Sequence, residues 1–150
     1  MKRILAWTLP GLAVLLVDRA VKVSLGSVNA PLIPGVIRLT SAWNTGMALG
    51  LFQGKAPWIL LVSIALVCVC LYLIKDFRIR GLAPIALSMI AGGALGNMID
   101  RVFLGYVIDM FELEFMDFYI FNVADAGVVT GAVLCGISLL FRPQDWSRKQ

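Results

Sequence analysis

Histidine is absent from this chain of 150 residues. That removes the Ser-His-Asp triad, the Cys-His pair and the HExxH zinc helix, and no metal or cofactor is expected. Charge is scarce: 15% of residues are charged, where a soluble domain carries about 25%. Cysteine is limited to Cys68, Cys70 and Cys135, all inside apolar runs. They read as small packing residues, and no disulfide framework is implied. A pI near 9.2 invites a nucleic-acid reading, but no basic patch with interleaved aromatics exists to carry it. The basic, then apolar N-terminus lacks a small-x-small exit, since Leu16-Val17-Asp18 follows the run. It is read as an uncleaved first helix.

What is present is hydrophobic: 60% of residues, gathered in blocks. Residues 4–17, 57–74 and 82–99 are uncharged, and 118–141 are interrupted only by Asp125. About 20 residues of helix cross a bilayer core. The first block reaches that length by continuing toward Lys22. The expectation is a single all-α polytopic membrane domain over 1–150, with transmembrane helices near 4–22, 57–74, 82–101 and 119–141. The N-terminus, the 75–81 loop and the C-tail hold eight basic residues against two acids; the remaining segments hold five against seven. The positive-inside rule then places both termini in the cytoplasm and residues 18–56 and 100–117 outside. VIRLTSAW (36–43) alternates loosely and suggests a strand in a small extracytoplasmic sheet at the outer membrane surface. FELEFMDFYIF (111–121) reads as a strand or flap, with Glu112, Glu114 and Asp117 on a solvated face. Gly92/Gly96 and Gly127/Gly131 have GxxxG spacing, which lets helices 3 and 4 approach closely.

The polar residues concentrate in GNMIDRVFLGYVIDMFELEFMDFYIFNVAD (96–125), with six carboxylates and one base. An ionised group in hydrocarbon costs about 2.5–3.5 kcal/mol on insertion scales, and marks a functional site by default. Asn122 and Asp125 fall on one helical face. They equally fit a helix cap with an acid at the positive end. Asn97, Asp100 and Arg101 lie within one turn at the end of helix 3, where Asp100 fits an interfacial ion pair. Asp109 sits in the apolar run VFLGYVIDMF and also fits an ordinary loop acid. Asp18 and Lys22, at i,i+4, read as an ion pair at the membrane edge. With no histidine and with cysteines in mid-helix, carboxylate chemistry remains. Two aspartates at one depth can share a proton: one acts as base on water, the other donates to the scissile carbonyl.

These segments resemble the lipoprotein signal peptidase family, signal peptidase II. GGALGNMIDR (92–101) matches its third-helix motif. YVIDMF (106–111) and FNVADAGVVTG (121–131) resemble the segments carrying its two catalytic aspartates. WNTGMALGLF (43–52) resembles its N-x-G-x-A element, and DRAVK (18–22) the acid-to-lysine element ending helix 1. The order is the family's across residues 18–131. Departures are Leu49 and Gly50 after the N-x-G-x-A alanine, Met110 after the first aspartate, and Val21 in D-x-x-[ST]-K.

The resemblance implies an aspartyl peptidase of the bacterial inner membrane, its site near the outer leaflet. Asp109 and Asp125 would be the dyad. Asn44, Gly46, Asn97, Arg101 and Asn122 would line the site, and Asp18, Lys22 and Asp100 would be structural, Asp100 supporting Arg101. The implied substrate is a prolipoprotein carrying diacylglyceryl-cysteine, cleaved before that cysteine within the membrane lipid, with globomycin as an expected inhibitor. Two other classes compete. A small transporter would continue its polar groups across the membrane, where helix 2 offers only Ser63 and Tyr72. A non-catalytic membrane subunit would dock a partner through the acids and tolerate Asp109→Asn.

Overall fold

The computed structural model of the chain describes residues 2–46 and 52–148. Residues 47–51 of WNTGMALGLF, and Lys149 of the basic tail, lie outside the described residues.

Four helices carry the fold: α1 (Lys2–Leu25), α2 (Ala56–Asp76), α3 (Ala83–Phe103) and α4 (Val123–Phe141). Five strands accompany them: β1 (Ala30–Ile33), β2 (Ile37–Asn44), β3 (Phe77–Ile79), β4 (Val107–Leu113) and β5 (Trp146–Arg148). Local chemistry sets the helix ends. Prolines stand in the first turns of α2 and α3, where a missing N–H leaves nothing unpaired. Gly105, at φ 83°, turns the chain out of α3 toward β4, a left-handed position natural for glycine. Asn122 and Asp125 form a reciprocal capping box at the start of α4. That cap is why α4 begins at Val123 and not near residue 119: residues 119–121 run as non-helical chain into a bridge between Phe121 and Phe111.

α3 is the central helix, packed against α1, α2 and α4. Its small residues permit this. A Cβ on Gly92 would meet the Gly11 carbonyl oxygen of α1 at 2.1 Å, and one on Gly93 the Ala124 oxygen of α4 at 2.3 Å. The close α3–α4 approach anticipated from GxxxG spacing is present, but the spacing serves α1 as well. Gly92 faces Gly11, and Gly127 faces Val14. On the outward sides, Leu61, Val69 and Leu71 of α2 and Val129, Val133 and Leu140 of α4 are exposed. A patch of that kind needs an apolar solvent or partner. By length and composition, α2 and α4 are long and apolar enough to cross a membrane.

β1, β2 and β4 form an antiparallel sheet in that order, at the end of the bundle where α1 stops and α4 starts. In its register Asp109 lies opposite Ala42, and Asn44 opposite Val107. Strand alternation puts these four residues on one face. The expected strand at 36–43 is β2. The expected strand-or-flap at 111–121 divides: residues to Leu113 complete β4, and the rest is turn and loop.

β3 and β5 pair antiparallel at the opposite end, where only a loop and a tail were expected. Three-residue strands leave no periodicity to read. The pairing covers a buried cluster of Cys70, Ile79, Ala83, Leu87 and Ile90, against which Trp146 packs. The Trp146 indole N–H donates to Ser138 Oγ at 3.0 Å. The three cysteines are free.

Candidate active site

Two groups of buried acids meet where α1, α3, β4 and α4 converge. The first comes from DRAVK on α1 and Asp100 on α3. Asp18 and Lys22 are one turn apart, and their ion pair spans 3.0 Å. Lys22 Nζ also reaches Asp100 Oδ2 at 2.7 Å. Arg19 pairs with Asp100 at 2.6 Å and with Asp18 at 2.7 Å. Two acids thus share two bases. Their remaining lone pairs hold backbone: Asp18 accepts the Ala124 N–H at 3.0 Å, and Asp100 the Ile108 N–H at 3.2 Å. The cluster therefore ties α1 to the starts of α4 and β4. Asp100 forms its direct ion pairs with Arg19 and Lys22, and its charge also acts on the neighbouring Arg101 without a hydrogen bond between them. Arg19, to which the sequence analysis assigned no role, belongs to this cluster.

The second group is Asp109 and Asp125 with three asparagines. Asp109 Oδ1 accepts from Asn122 Nδ2 at 2.6 Å, and its Oδ2 from Asn44 Nδ2 at 2.9 Å. Asp125 Oδ1 accepts from Asn97 Nδ2 at 2.7 Å, and its Oδ2 from the Asn122 backbone N–H at 3.2 Å. Each asparagine's orientation follows from its other contacts. Asn44 Oδ1 accepts the Gly46 N–H at 2.8 Å. Asn122 Oδ1 accepts the Asp125 N–H at 2.8 Å. Asn97 Oδ1 accepts from Lys22 and from Asn122, each at 3.1 Å. Every NH2 is thereby directed at a carboxylate. Asn122 touches both acids, so the capping role and the site role weighed in the sequence coexist. No cation contacts either carboxylate directly among the described residues. Burial, then the neighbouring Asp125 charge, push the Asp109 carboxyl up to about 6, against the pull of the Asn44 and Asn122 hydrogen bonds.

Both carboxylates line a cleft of about 510 Å³. Asn44, Asn97 and Arg101 line it as well, with Val128 and Val129 as part of an apolar wall. Arg101 donates to the Gly46 carbonyl at 2.9 Å and to the Asn97 carbonyl at 3.4 Å. It tethers Gly46, two residues past β2, to the end of α3. The cleft also includes Tyr119 and Ile120 from the loop before α4 and Ser63 from α2. Sequence reasoning did not place these three there; the tyrosine inside a run of acids and aromatics was the available signal. Glu112 and Glu114 are not simply solvated. Thr40 donates to Glu112 at 2.5 Å, and Glu114 accepts from Arg38 at 2.8 Å and from the Gly35 N–H at 2.7 Å, binding β4 to the β1–β2 turn.

Chemically, the cleft offers two carboxylates joined through one residue, Asn122, by its side-chain NH2 to Asp109 and its backbone N–H to Asp125, and apolar walls from α2 and α4. That arrangement suits a proton-sharing acid pair. The profile of the family described as signal peptidase (SPase) II matches residues 11–141. A lipoprotein signal peptidase of Enterococcus faecalis is 41% identical over 119 residues, 79% of this chain and 73% of that protein. One of Latilactobacillus sakei is 37% identical over 145 residues, 92% of this chain and 95% of its own. A bacterial membrane enzyme solved by the in meso method at 2.3 Å is 30% identical, with a TM-score of 0.85 over 97% of this chain and 93% of its own.

Proposed function

The chain belongs to the signal peptidase II family, and from that membership we propose that Asp109 and Asp125 are the aspartyl pair with which it cleaves prolipoproteins. The activity is that of an aspartic endopeptidase of a bacterial membrane, removing the signal peptide. The observation that carries the assignment of the pair is the joint hold on Asn122. Its side-chain amide donates to Asp109 while its backbone N–H donates to Asp125.

The chemistry follows from two acids with neutral donors and one cleft. With one proton between them, the ionised carboxyl takes a proton from water as it attacks the scissile carbonyl. The protonated carboxyl donates to the carbonyl oxygen. Collapse of the tetrahedral species expels the amine, which takes up a proton from the pair. Asn44, Asn97 and Asn122 hold the carboxylates in place with neutral donors and no direct ion pair, so a proton stays on the pair to higher pH than on an ordinary carboxylate. Arg101 would hold Gly46 beside Asn44, and Asn44 and Gly46 would meet the substrate backbone.

The substrate is proposed to carry diacylglycerol on the cysteine after the scissile bond. The apolar walls of α2 and α4 favour a lipid that stays in the bilayer while the peptide bond enters the cleft. All four helices would span the membrane, with α1 and α3 crossing beside their two more apolar partners. The distribution of basic residues favours cytoplasmic termini and a site near the outer leaflet. Globomycin is expected to inhibit by occupying the cleft.

The test uses purified protein in detergent with a diacylglyceryl-modified prolipoprotein, read by a gel shift. Wild type and Glu114→Gln should cleave; Asp109→Asn and Asp125→Asn, folded, should not. Persistent cleavage by either asparagine variant would remove that aspartate from the mechanism. Equal cleavage of an unlipidated precursor would remove the lipid requirement.

A further inference from the structure

We propose that Lys22 is a positioning residue for the aspartyl pair, acting on Asp125 through the side-chain amide of Asn97. This rests on the reading of Asp109 and Asp125 as the catalytic pair.

Lys22 makes one contact more than charge balance needs. Arg19 already pairs with both Asp18 and Asp100. Lys22, only 4% exposed, brings the second positive charge that makes the cluster neutral. Neutrality requires its contacts with the two acids, at 3.0 and 2.7 Å. It does not require the third, to Asn97 Oδ1 at 3.1 Å. An ammonium group has three donors and no acceptor, so the atom it faces must be an oxygen. The Asn122 amide aims at the same oxygen. The Asn97 NH2 is thereby committed to Asp125 Oδ1 at 2.7 Å. A charged donor on the amide oxygen also polarises that amide and strengthens what its NH2 donates.

Lys22 thus stands one side chain behind Asp125, on the side away from the cleft. It touches neither substrate nor reacting atoms. Its influence falls on the carboxyl that alternates between protonated and ionised during turnover, so kcat should respond and KM should not.

The experiment separates this role from charge balance. Lys22→Met alone leaves two buried acids with one base and should lose stability. Lys22→Met combined with Asp100→Asn restores a neutral cluster. The expected result is a Tm recovered toward wild type, an unchanged KM and a kcat still down about tenfold or more. Recovery of kcat along with Tm would reduce Lys22 to charge balance and overturn the proposal; so would a rise in KM at unchanged kcat. Should the double variant not fold, Lys22→Arg keeps the charge and is measured in wild-type and Asn97→Ser backgrounds. Loss of kcat in the first and little further loss in the second is expected, because the effect passes through Asn97. Independent, multiplying losses would overturn the proposal. Asp125→Asn, run alongside, reports on the pair itself. Cleavage by that variant would be a failure of the catalytic reading, recognisable whatever Lys22 does, and would take the positioning role with it.

Discussion

Asp100 and Asp109 are equally buried, at 1% and 2% exposure, yet they are held in opposite ways. Asp100 lies among Arg19, Lys22 and Asp18, where charges cancel within hydrogen-bond distance. Asp109 receives only amide N–H groups and looks toward another carboxylate. The contrast shows that burial of an acid does not by itself make a reactive group. A compensated acid is locked in one ionisation state and serves as a fastener between elements. Two acids without direct ion-pair partners cannot both ionise without repulsion, which is the property the proposed pair would use.

The largest test of this comparison exchanges charge in each cluster and reads both activity and stability. Asp109→Asn or Asp125→Asn should lower turnover by about 10³-fold, within the range for loss of acid–base catalysis. The folded fraction at pH 8 should not fall, because a repulsive charge has been removed. A drop in Tm equal to that of an Asp100 variant would erase the distinction between the clusters.

Asp100→Ala should do the reverse. It leaves Arg19 and Lys22 with Asp18 alone and should cost roughly 3–5 kcal/mol, as for a broken buried pair. Denaturation in mild detergent measures this. An unchanged midpoint would mean that the cluster does not hold α1 to α3.

A pH profile separates the two clusters by their acidity. Asp109 is held up to about 6. The singly protonated pair is lost as pH rises through that value, so kcat/KM should decline on the alkaline side from there. Asn44→Ala removes a donor that favours the ionised Asp109, which raises its pKa. The alkaline limb should therefore move to higher pH. A shift to lower pH would contradict the assigned hydrogen bond.

The smallest effect belongs to an ion pair outside both clusters. Arg38 and Glu114 meet at 2.8 Å with the arginine side chain 44% exposed. Glu114→Gln should cost no more than about 1 kcal/mol and leave turnover unchanged. A large loss of turnover would bring this end of β4 into the mechanism.

Much of the architecture could be read from residue order. The helices declared themselves as long, nearly uncharged blocks, and two of them, α2 and α4, are long and apolar enough to cross a membrane. β2 announced itself by alternation, and the Asp18–Lys22 pair by helical spacing. Other features had no local signature. The start of α4 was misplaced toward residue 119 because an apolar run does not reveal where a cap forms. β3 and β5 are three residues each and exist only because each supplies the other's hydrogen bonds. Arg19 is adjacent to Asp18, a spacing that suggests no special partner, and its second acid lies 81 residues away.

Residue order alone carries the kind of molecule and the class of its chemistry: long apolar blocks, no histidine, and acids gathered between the last two helices. Tertiary structure alone decided which acids are compensated. Asp18, Asp100, Asp109 and Asp125 are the same side chain with the same intrinsic acidity. Their difference comes from Coulomb and hydrogen-bond partners that act over a few ångströms, and those partners come from α1, β2 and α3, elements far apart along the chain.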